Sequence, residues 1–343
     1  MPRPPSPTPP TPSLLAAAFV TTLGLASGAC TPELVPTKTP TCPAGPCERP
    51  PPTRPTRRAR LEYEVEGRPF RLPVVRATVG GVATLLLVDT GASAHVLTRW
   101  LAKKAKLPVD DQGDRSLDHA GREVASLRTS APRIVIDGWG PLGDRPTLVI
   151  DVPEALERLG IGGFLSPQSL GGGTVVLDLL RGELRDTTSP GEEKGALAEW
   201  ATFSRPEPKS LPEPVACADP SSLLPALTFV LPARIGDEAV SLLVDTGAQR
   251  TDLFATSPAG KALAPRAEPG EPLILAAGKV ESKVLRGTSL AVGDVKAEVD
   301  VGILPGASTP SCPRDGVLGM DALRRCVLVI GQGTFHGRCL GPP

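Results

Sequence analysis

The chain has 343 residues with 37 basic and 37 acidic side chains, so its formal net charge is zero. This balance argues against nucleic acid as the main partner, because phosphate binding needs a surplus of Lys and Arg on one face. Hydrophobic residues make up 40% of the sequence and charged residues 22%, which excludes a wholly disordered chain. Aromatic residues make up only 3%, so we expect cores of Leu, Val, Ile and Ala.

An apolar stretch near the N-terminus predicts export. Leu14 to Leu25 reads LLAAAFVTTLGL, which is too short to span a bilayer but suits the middle of a secretory signal. We therefore predict a signal peptide over residues 1–29. Cys30 then resembles the lipidated first residue of a bacterial lipoprotein, although Ser27 stands where Leu is usual. Ordinary cleavage before Cys30 is the alternative, so a periplasmic, a lipid-anchored cell-envelope and a secreted protein all stay open.

Proline-rich segments divide the rest of the chain. Of the 41 prolines, 16 fall within the first 60 residues, and residues 30–60 are predicted to be an extended tether. Residues 187–226 contain seven more prolines and are predicted to link two globular halves. The expected lobes are residues 61–186 and residues 227–343.

The seven cysteines fit an exported protein with disulfides. If Cys30 is lipidated, six remain, and six cysteines allow 15 connectivities, among which the sequence cannot choose. One reasonable arrangement pairs Cys42 with Cys47, Cys312 with Cys326, and Cys217 with Cys339. The alternative is that several are buried free thiols.

The two halves repeat each other. Leu86 to Ala92 reads LLVDTGA, and Leu242 to Ala248 reads LLVDTGA again, 156 residues later. Each motif follows a β-rich stretch with a Gly turn, which predicts a hairpin feeding a buried strand. Related segments, Gly163-Phe164-Leu165-Ser166 and Gly316-Val317-Leu318-Gly319, follow 74 and 71 residues after the aspartates. Short strands separated by turns make each half a compact all-β unit.

The repeated aspartates can carry acid and base chemistry. An ionised Asp at the end of an apolar strand is costly to bury alone. Two such residues, Asp89 and Asp245, brought together by a pseudo-twofold axis would share one proton, because like charges at close range cannot both ionise. The pair would supply one acid and one base, which is enough to activate a water and protonate a departing amine.

These motifs resemble those of the aspartic proteases, both the two-lobed pepsin-like enzymes and the retroviral homodimers. The resemblance covers most of Leu61 to Leu340. It implies an all-β fold of two pseudo-twofold-related β-barrel lobes with an active-site cleft between them, and it implies that Asp89 and Asp245 are the catalytic dyad.

The resemblance also assigns supporting roles around the dyad. Thr90 and Thr246 would hydrogen-bond across the lobe interface, and Gly91 and Gly247 would permit a close backbone approach. The segment Gly316 to Gly319 resembles the apolar-Gly segment that packs behind the catalytic loop. In the first half Ser166 replaces the second glycine of that segment, which weakens the match there.

Details favour the retroviral-like branch. Ala92 and Ala248 follow the glycines, where pepsin-like enzymes usually have Ser or Thr, and the only tyrosine, Tyr63, precedes the first motif. Flap candidates are the turns Ala120-Gly121 and Ala277-Gly278, whose glycines lie 32 and 33 residues after the aspartates. Ordinary surface hairpins would have the same Gly content, which is the alternative interpretation.

Other chemistries have weaker support. His95, His119 and His336 lack the spacing of metal ligands, so no metal is predicted, and no organic cofactor is implied. The sequence around Ser93 lacks the second glycine of a nucleophile elbow, so a serine nucleophile is not predicted there.

The sequence therefore predicts an aspartic endopeptidase in which Asp89 and Asp245 activate a water. Its expected partner is an extended peptide or protein substrate, and one chain with two halves is expected to be a monomer. The alternative is a peptide-binding or structural surface protein that keeps the fold without turnover.

Overall fold

The computed structural model describes residues 56–341, apart from 119, 131, 144, 171–172, 188–194, 196, 199, 201–206, 219–226, 276–277, 309–311 and 332. The predicted signal peptide, Cys30, Cys42, Cys47, His119 and Ala277 lie outside the described residues. None of the helices in the described ranges is long and apolar enough to cross a membrane.

The described part of the chain is built mainly of strands. In the first half these are β1 Arg58–Arg60, β2 Glu62–Val65, β3 Arg68–Val79, β4 Val82–Val88, β5 Val96–Thr98, β6 Asp110–Leu117, β7 Glu123–Thr129, β8 Ile134–Ile136, β9 Gly140–Pro141, β10 Thr147–Ile150, β11 Ile161–Leu165, β12 Thr174–Asp178 and β13 Glu183–Thr187. In the second half they are β14 Lys209–Ser210, β15 Val215–Ala218, β16 Leu227–Ile235, β17 Glu238–Val244, β18 Asp252–Phe254, β19 Glu268–Pro269, β20 Leu273–Leu275, β21 Gly278–Val280, β22 Lys283–Val292, β23 Val295–Leu304, β24 Gly316–Leu318, β25 Cys326–Ile330 and β26 Phe335–Cys339. The α-helices are short: α1 Arg99–Lys104, α2 Glu154–Arg158, α3 Pro258–Leu263 and α4 Met320–Leu323. This confirms the predicted all-β class.

Each half forms its own sheet around its repeated motif. The N-terminal sheet has the order β6-β7-β10-β5-β11-β4-β3-β8-β9, with β2 also paired to β3. The C-terminal sheet has the order β15-β16-β17-β24-β18-β23-β22-β19, and β20 and β21 form a separate hairpin. The glycine turns predicted before each motif are confirmed, since Val79 pairs with Val82 and Ile235 with Glu238. Gly80, Gly81 and Gly236 there have positive φ, which glycine adopts without a steric penalty.

A third sheet, which we call the shared sheet, takes strands from both halves. Its order is β1-β13-β12-β25-β26-β14, and β12 pairs with β25 between the halves. Folded structure thus begins before the expected Leu61, because Arg58–Arg60 pairs with β13. Residues 187–226 also contain β14 and β15, so part of the predicted linker belongs to the sheets.

The disulfides differ from the arrangement considered from the sequence. Cys217 pairs with Cys312 and Cys326 pairs with Cys339, so the pairings Cys312–Cys326 and Cys217–Cys339 are wrong. Cys326 lies directly opposite Cys339 in the β25–β26 register, which explains that bond. Cys217 belongs to an edge strand of the C-terminal sheet, and its bond fixes the loop between β23 and β24 to that strand.

Candidate active site

Each repeated aspartate lies just after a buried strand. Asp89 follows β4, and its backbone N–H donates to the Leu165 carbonyl at 2.9 Å; Asp245 follows β17, and its N–H donates to the Leu318 carbonyl at 3.0 Å. The acceptors end β11 and β24, which run parallel to β4 and β17. Equivalent strands therefore fix both aspartates in equivalent places.

The glycines of the segments behind the aspartates allow this packing. A Cβ on Gly163 would lie 2.1 Å from the Val96 carbonyl oxygen, and a Cβ on Gly316 would lie 2.0 Å from that of Asp252. Both distances are far below contact, so β11 and β24 can insert between neighbouring strands only with glycine at these positions.

The two carboxyl groups face each other across the halves. A Cβ on Gly91 would lie 2.8 Å from Asp245 Cγ, and a Cβ on Gly247 would lie 2.7 Å from Asp89 Cγ. A side-chain hydrogen bond links the two carboxyl groups. Asp245 is 5% exposed, whereas Asp89 is half-buried, so the pair keeps limited access to solvent through Asp89.

The threonines after the aspartates bind the opposite half. The Thr90 N–H donates to Thr246 Oγ1 at 3.1 Å, and the Thr246 N–H donates to Thr90 Oγ1 at 3.0 Å. Their hydroxyls donate onward to the Val244 and Val88 carbonyls at 2.8 and 2.7 Å. This reciprocal set of four bonds fixes the relative position of the two aspartate loops.

The environment of Asp89 favours its protonated form. Burial, the charge of Asp245 and the hydrogen bond between the carboxyl groups raise the pKa of Asp89 well above its ordinary value. Backbone N–H groups of Gly91 and Ala92 donate to Asp89 Oδ1 at 2.8 and 3.1 Å and oppose this rise. The balance leaves one proton on the pair over a range of pH in which an isolated carboxyl group is ionised.

The predicted flap turns lie at hairpins that contact each other. Ala120 and Gly121 lie in the turn between β6 and β7, while Gly278 begins β21 of the second hairpin. Arg122 Nη2 donates to the Gly278 carbonyl at 3.2 Å and pairs with Asp118 Oδ2 at 2.8 Å. Asp118 in turn accepts N–H bonds from Ala120 and Arg122, which holds the first turn in shape.

The first turn also contacts the second half through its backbone. The Ala307 N–H donates to the Ala120 carbonyl at 3.2 Å, and a Cβ on Gly121 would lie 2.5 Å from the Ala307 carbonyl oxygen. Ala307 lies in the loop that the Cys217–Cys312 disulfide holds. The hairpin of one half therefore rests on a loop of the other.

Sequence reasoning missed several polar contacts behind the aspartates. Gln168 Nε2 donates to the Thr90 carbonyl at 2.6 Å, and the Ser166 N–H donates to His95 Nδ1 at 3.2 Å. In the second half Thr251 Oγ1 accepts from the Gly319 N–H at 3.2 Å. His95 and Thr251 each lie six residues after an aspartate, and aligning the halves on the motif would have revealed this equivalence.

His336 is exposed on β26. Across the described residues, no group of three His, Cys, Asp or Glu side chains is arranged to hold a metal ion.

Comparison with known proteins identifies the family of the chain. A family model described as "Aspartyl protease" matches residues 75–165 and 231–322, which is more than half of the chain and one match per half. Among solved structures, the chain is similar to an aspartic proteinase from Irpex lacteus at 14% identity, covering 83% of this chain and 97% of that one with a TM-score of 0.44. No curated protein sequence matches the chain.

Proposed function

Because the chain belongs to the aspartyl protease family, we propose that it is an aspartic endopeptidase in which Asp89 and Asp245 activate a water against a peptide bond. The observation that carries the proposal is the apposition of the two carboxyl groups. Each lies against the glycine of the opposite loop, and a hydrogen bond joins them. Such a pair can hold one proton and one negative charge at the same time.

The proposed reaction uses both forms of carboxyl group. The ionised group accepts a proton from water while the water oxygen attacks the carbonyl carbon of the substrate. The protonated group donates its proton to the carbonyl oxygen. When the C–N bond breaks, the proton taken from water passes to the departing nitrogen, and the hydroxyl formed from the carbonyl oxygen returns its proton to the carboxylate that donated it. Acid and amine products form, and the pair is back in its starting state.

The proposed substrate is an extended peptide or protein segment. It would lie between the aspartate loops and the hairpins β6–β7 and β20–β21, whose backbone groups can pair with an extended chain. One chain supplies both aspartates, so we propose that the protein acts as a monomer. The chemistry requires neither metal nor organic cofactor, and we propose no nucleic-acid partner.

We further propose that the protein is exported. Disulfides persist in oxidising compartments, and Cys217–Cys312 and Cys326–Cys339 are consistent with such a location. Periplasmic, cell-envelope and secreted forms all satisfy this condition. Lipidation of Cys30 would attach the protein to a membrane, and mass spectrometry of the mature N-terminus tests it.

Cleavage of a diverse peptide library by the purified protein between pH 3 and pH 8 tests the function. We expect the Asp89→Asn and Asp245→Asn variants each to lose at least about 100-fold in turnover, because neither keeps an acid and a base. Asp294→Asn, at an exposed turn, is the matched control and should retain full activity. Peptides that bind to the wild-type protein and are never cut would favour the non-catalytic alternative.

A further inference from the structure

The two halves use different side chains for the same structural task. His95 Nδ1 accepts the N–H of Ser166, which directly follows the Leu165 carbonyl that holds Asp89. Thr251 Oγ1 accepts the N–H of Gly319 at the same distance, 3.2 Å, and Gly319 directly follows Leu318. Each acceptor therefore fixes the segment on which its aspartate depends.

The His95 ring is enclosed. It is 2% exposed, and Ser166 is fully buried, so water cannot replace a lost bond between them. Because Nδ1 accepts a hydrogen bond, Nε2 carries the proton in the neutral ring.

One charged group acts on this ring within the described part of the chain. Arg145 donates to the Ser169 carbonyl at 3.2 Å and lies near enough for its charge to act on His95. The loop after Asp89 presents Ser93, whose carbonyl accepts from Ser169 Oγ at 3.3 Å. On the β10 side, the Leu148 N–H donates to the His95 carbonyl at 3.0 Å. Of the groups named here, only the Ser169 backbone favours an imidazolium, and burial and the charge of Arg145 outweigh it.

We infer that His95 is a positioning residue for Asp89 and that its protonation at acid pH loosens the aspartate loop of the first half. The second half lacks this sensitivity because Thr251 takes the place of the histidine. The inference rests on the proposed function for its catalytic consequence. An imidazolium has two N–H donors and no acceptor, so the Ser166 N–H would lose its partner and face a second donor. A threonine hydroxyl keeps its acceptor lone pairs at every pH in this range.

The titration of the ring supports this geometry. Burial, with the charge of Arg145 as a smaller cause, lowers the pKa of His95 to about 4, and the backbone of Ser169 opposes the change. Between the ordinary value of 6.5 and about 4, the unfolded chain binds a proton at this ring that the native chain does not bind. Stability is therefore lost as the pH falls through this window, and below about 4 the native ring is protonated as well.

Two variants of His95 with side chains of nearly equal shape separate the loss of the hydrogen-bond acceptor from the loss of side-chain volume. His95→Thr keeps an acceptor and does not titrate, whereas His95→Val leaves the same gap without an acceptor. We expect His95→Val to lower kcat at all pH values, with KM nearly unchanged. The ratio of kcat for His95→Thr to that of wild type should stay constant above pH 5 and rise about tenfold at pH 3, one unit below the ring's pKa. His336→Thr, at an exposed histidine, is the control and should show a flat ratio.

The ratio cancels the titration of the aspartate pair, which wild type and variant share. A flat ratio for His95→Thr down to pH 3 overturns the inference, as does equal kcat in the Thr and Val variants. If the wild-type protein cuts no peptide, the proposed function fails, but the pH dependence of the free energy of unfolding still tests the role of His95. The stability difference between wild type and His95→Thr must then change between pH 6.5 and pH 4, and a difference independent of pH overturns the inference.

Discussion

Gly91 and Gly247 are each fixed by the carboxyl group of the other half. Their hypothetical Cβ atoms would lie 2.8 and 2.7 Å from the opposite Cγ atom, so even alanine would push the pair apart. The resemblance to the aspartic proteases implied a close backbone approach at these glycines. It could not show that the neighbour is the opposite carboxyl group, since that depends on how the halves are joined.

The free energy of unfolding should depend on pH because the pKa of Asp89 is raised in the native protein. The pKa of Asp89 is raised, so native Asp89 keeps a proton that the unfolded chain releases above its ordinary value of 3.8. The stability linked to this proton is full below that value and is lost as the pH rises through the raised pKa. We therefore predict that Asp89→Asn increases the free energy of unfolding at pH 7 by about 1–2 kcal/mol. At pH 3 the gain should vanish.

Urea unfolding at both pH values measures this effect, with Asp294→Asn as the control for removing an exposed carboxyl group. An equal effect of Asp89→Asn at pH 3 and pH 7 would contradict the assigned direction of the shift.

The hydrogen-bond partner of His95 could not be predicted from the sequence. The sequence indicated an isolated histidine without metal-ligand spacing, and the structure places it in the core. Its partner, the Ser166 N–H, is 71 residues away along the chain. A backbone group carries no signal in the amino-acid sequence, so only the fold identifies it as the partner.

At the level of elements, strands β14 and β15 arise where the sequence predicted only a linker. Proline cannot donate to a sheet ladder and therefore weakens any strand prediction. Both strands lie at the edges of their sheets, where one side of the backbone needs no partner. Proline-rich sequence is tolerated in such places, and this is why the linker contributes Cys217 to the second half.

The hairpins were predicted from glycine spacing, but the contact between them was not. Arg122 joins the first turn to Gly278, and its guanidinium also binds Asp118. We predict that Arg122→Gln raises KM about 5- to 10-fold with a smaller effect on kcat, because a charge-assisted bond that holds the hairpins together is lost. Steady-state kinetics measures both constants.

Arg286→Gln is the matched control, since Arg286 forms an exposed pair with Asp300 and should leave both constants unchanged. An unchanged KM in Arg122→Gln would show that the bond between the hairpins has no part in holding substrate.

Across the whole molecule, the two disulfides should contribute unequally. Cys217–Cys312 closes 95 residues and Cys326–Cys339 closes 13. Loop-closure entropy gives about 4.7 kcal/mol for a loop of about 100 residues and about 3 kcal/mol for one of about 15. We predict that replacing Cys217 and Cys312 together by Ala costs about 1.7 kcal/mol more than the same change at Cys326 and Cys339.

Urea unfolding of the two double variants measures the difference, and each serves as the control for the other. The first disulfide also packs in one cluster with Ala248, the residue after the second Asp-Thr-Gly. Its removal should therefore lower turnover as well. Larger losses on removal of Cys326–Cys339 would contradict the entropic argument.

The duplicated architecture was predicted well, and the shared sheet was not. The two central strands of this sheet, β12 (Thr174–Asp178) and β25 (Cys326–Ile330), are both largely apolar and buried. Their pairing places Val175 opposite Ile330, more than 150 residues later in the chain. Apolar runs specify that a strand will be buried but do not specify its partner.

The shared sheet has a consequence for protein synthesis. Strands β25 and β26 lie between β12 and β14 in the sheet, yet they follow both aspartates in the chain. A nascent chain ending near residue 320 contains both aspartates but lacks the strand against which β12 packs. We expect the halves to close only after β25 has been synthesised, so Asp89 and Asp245 remain apart in the shorter nascent chain.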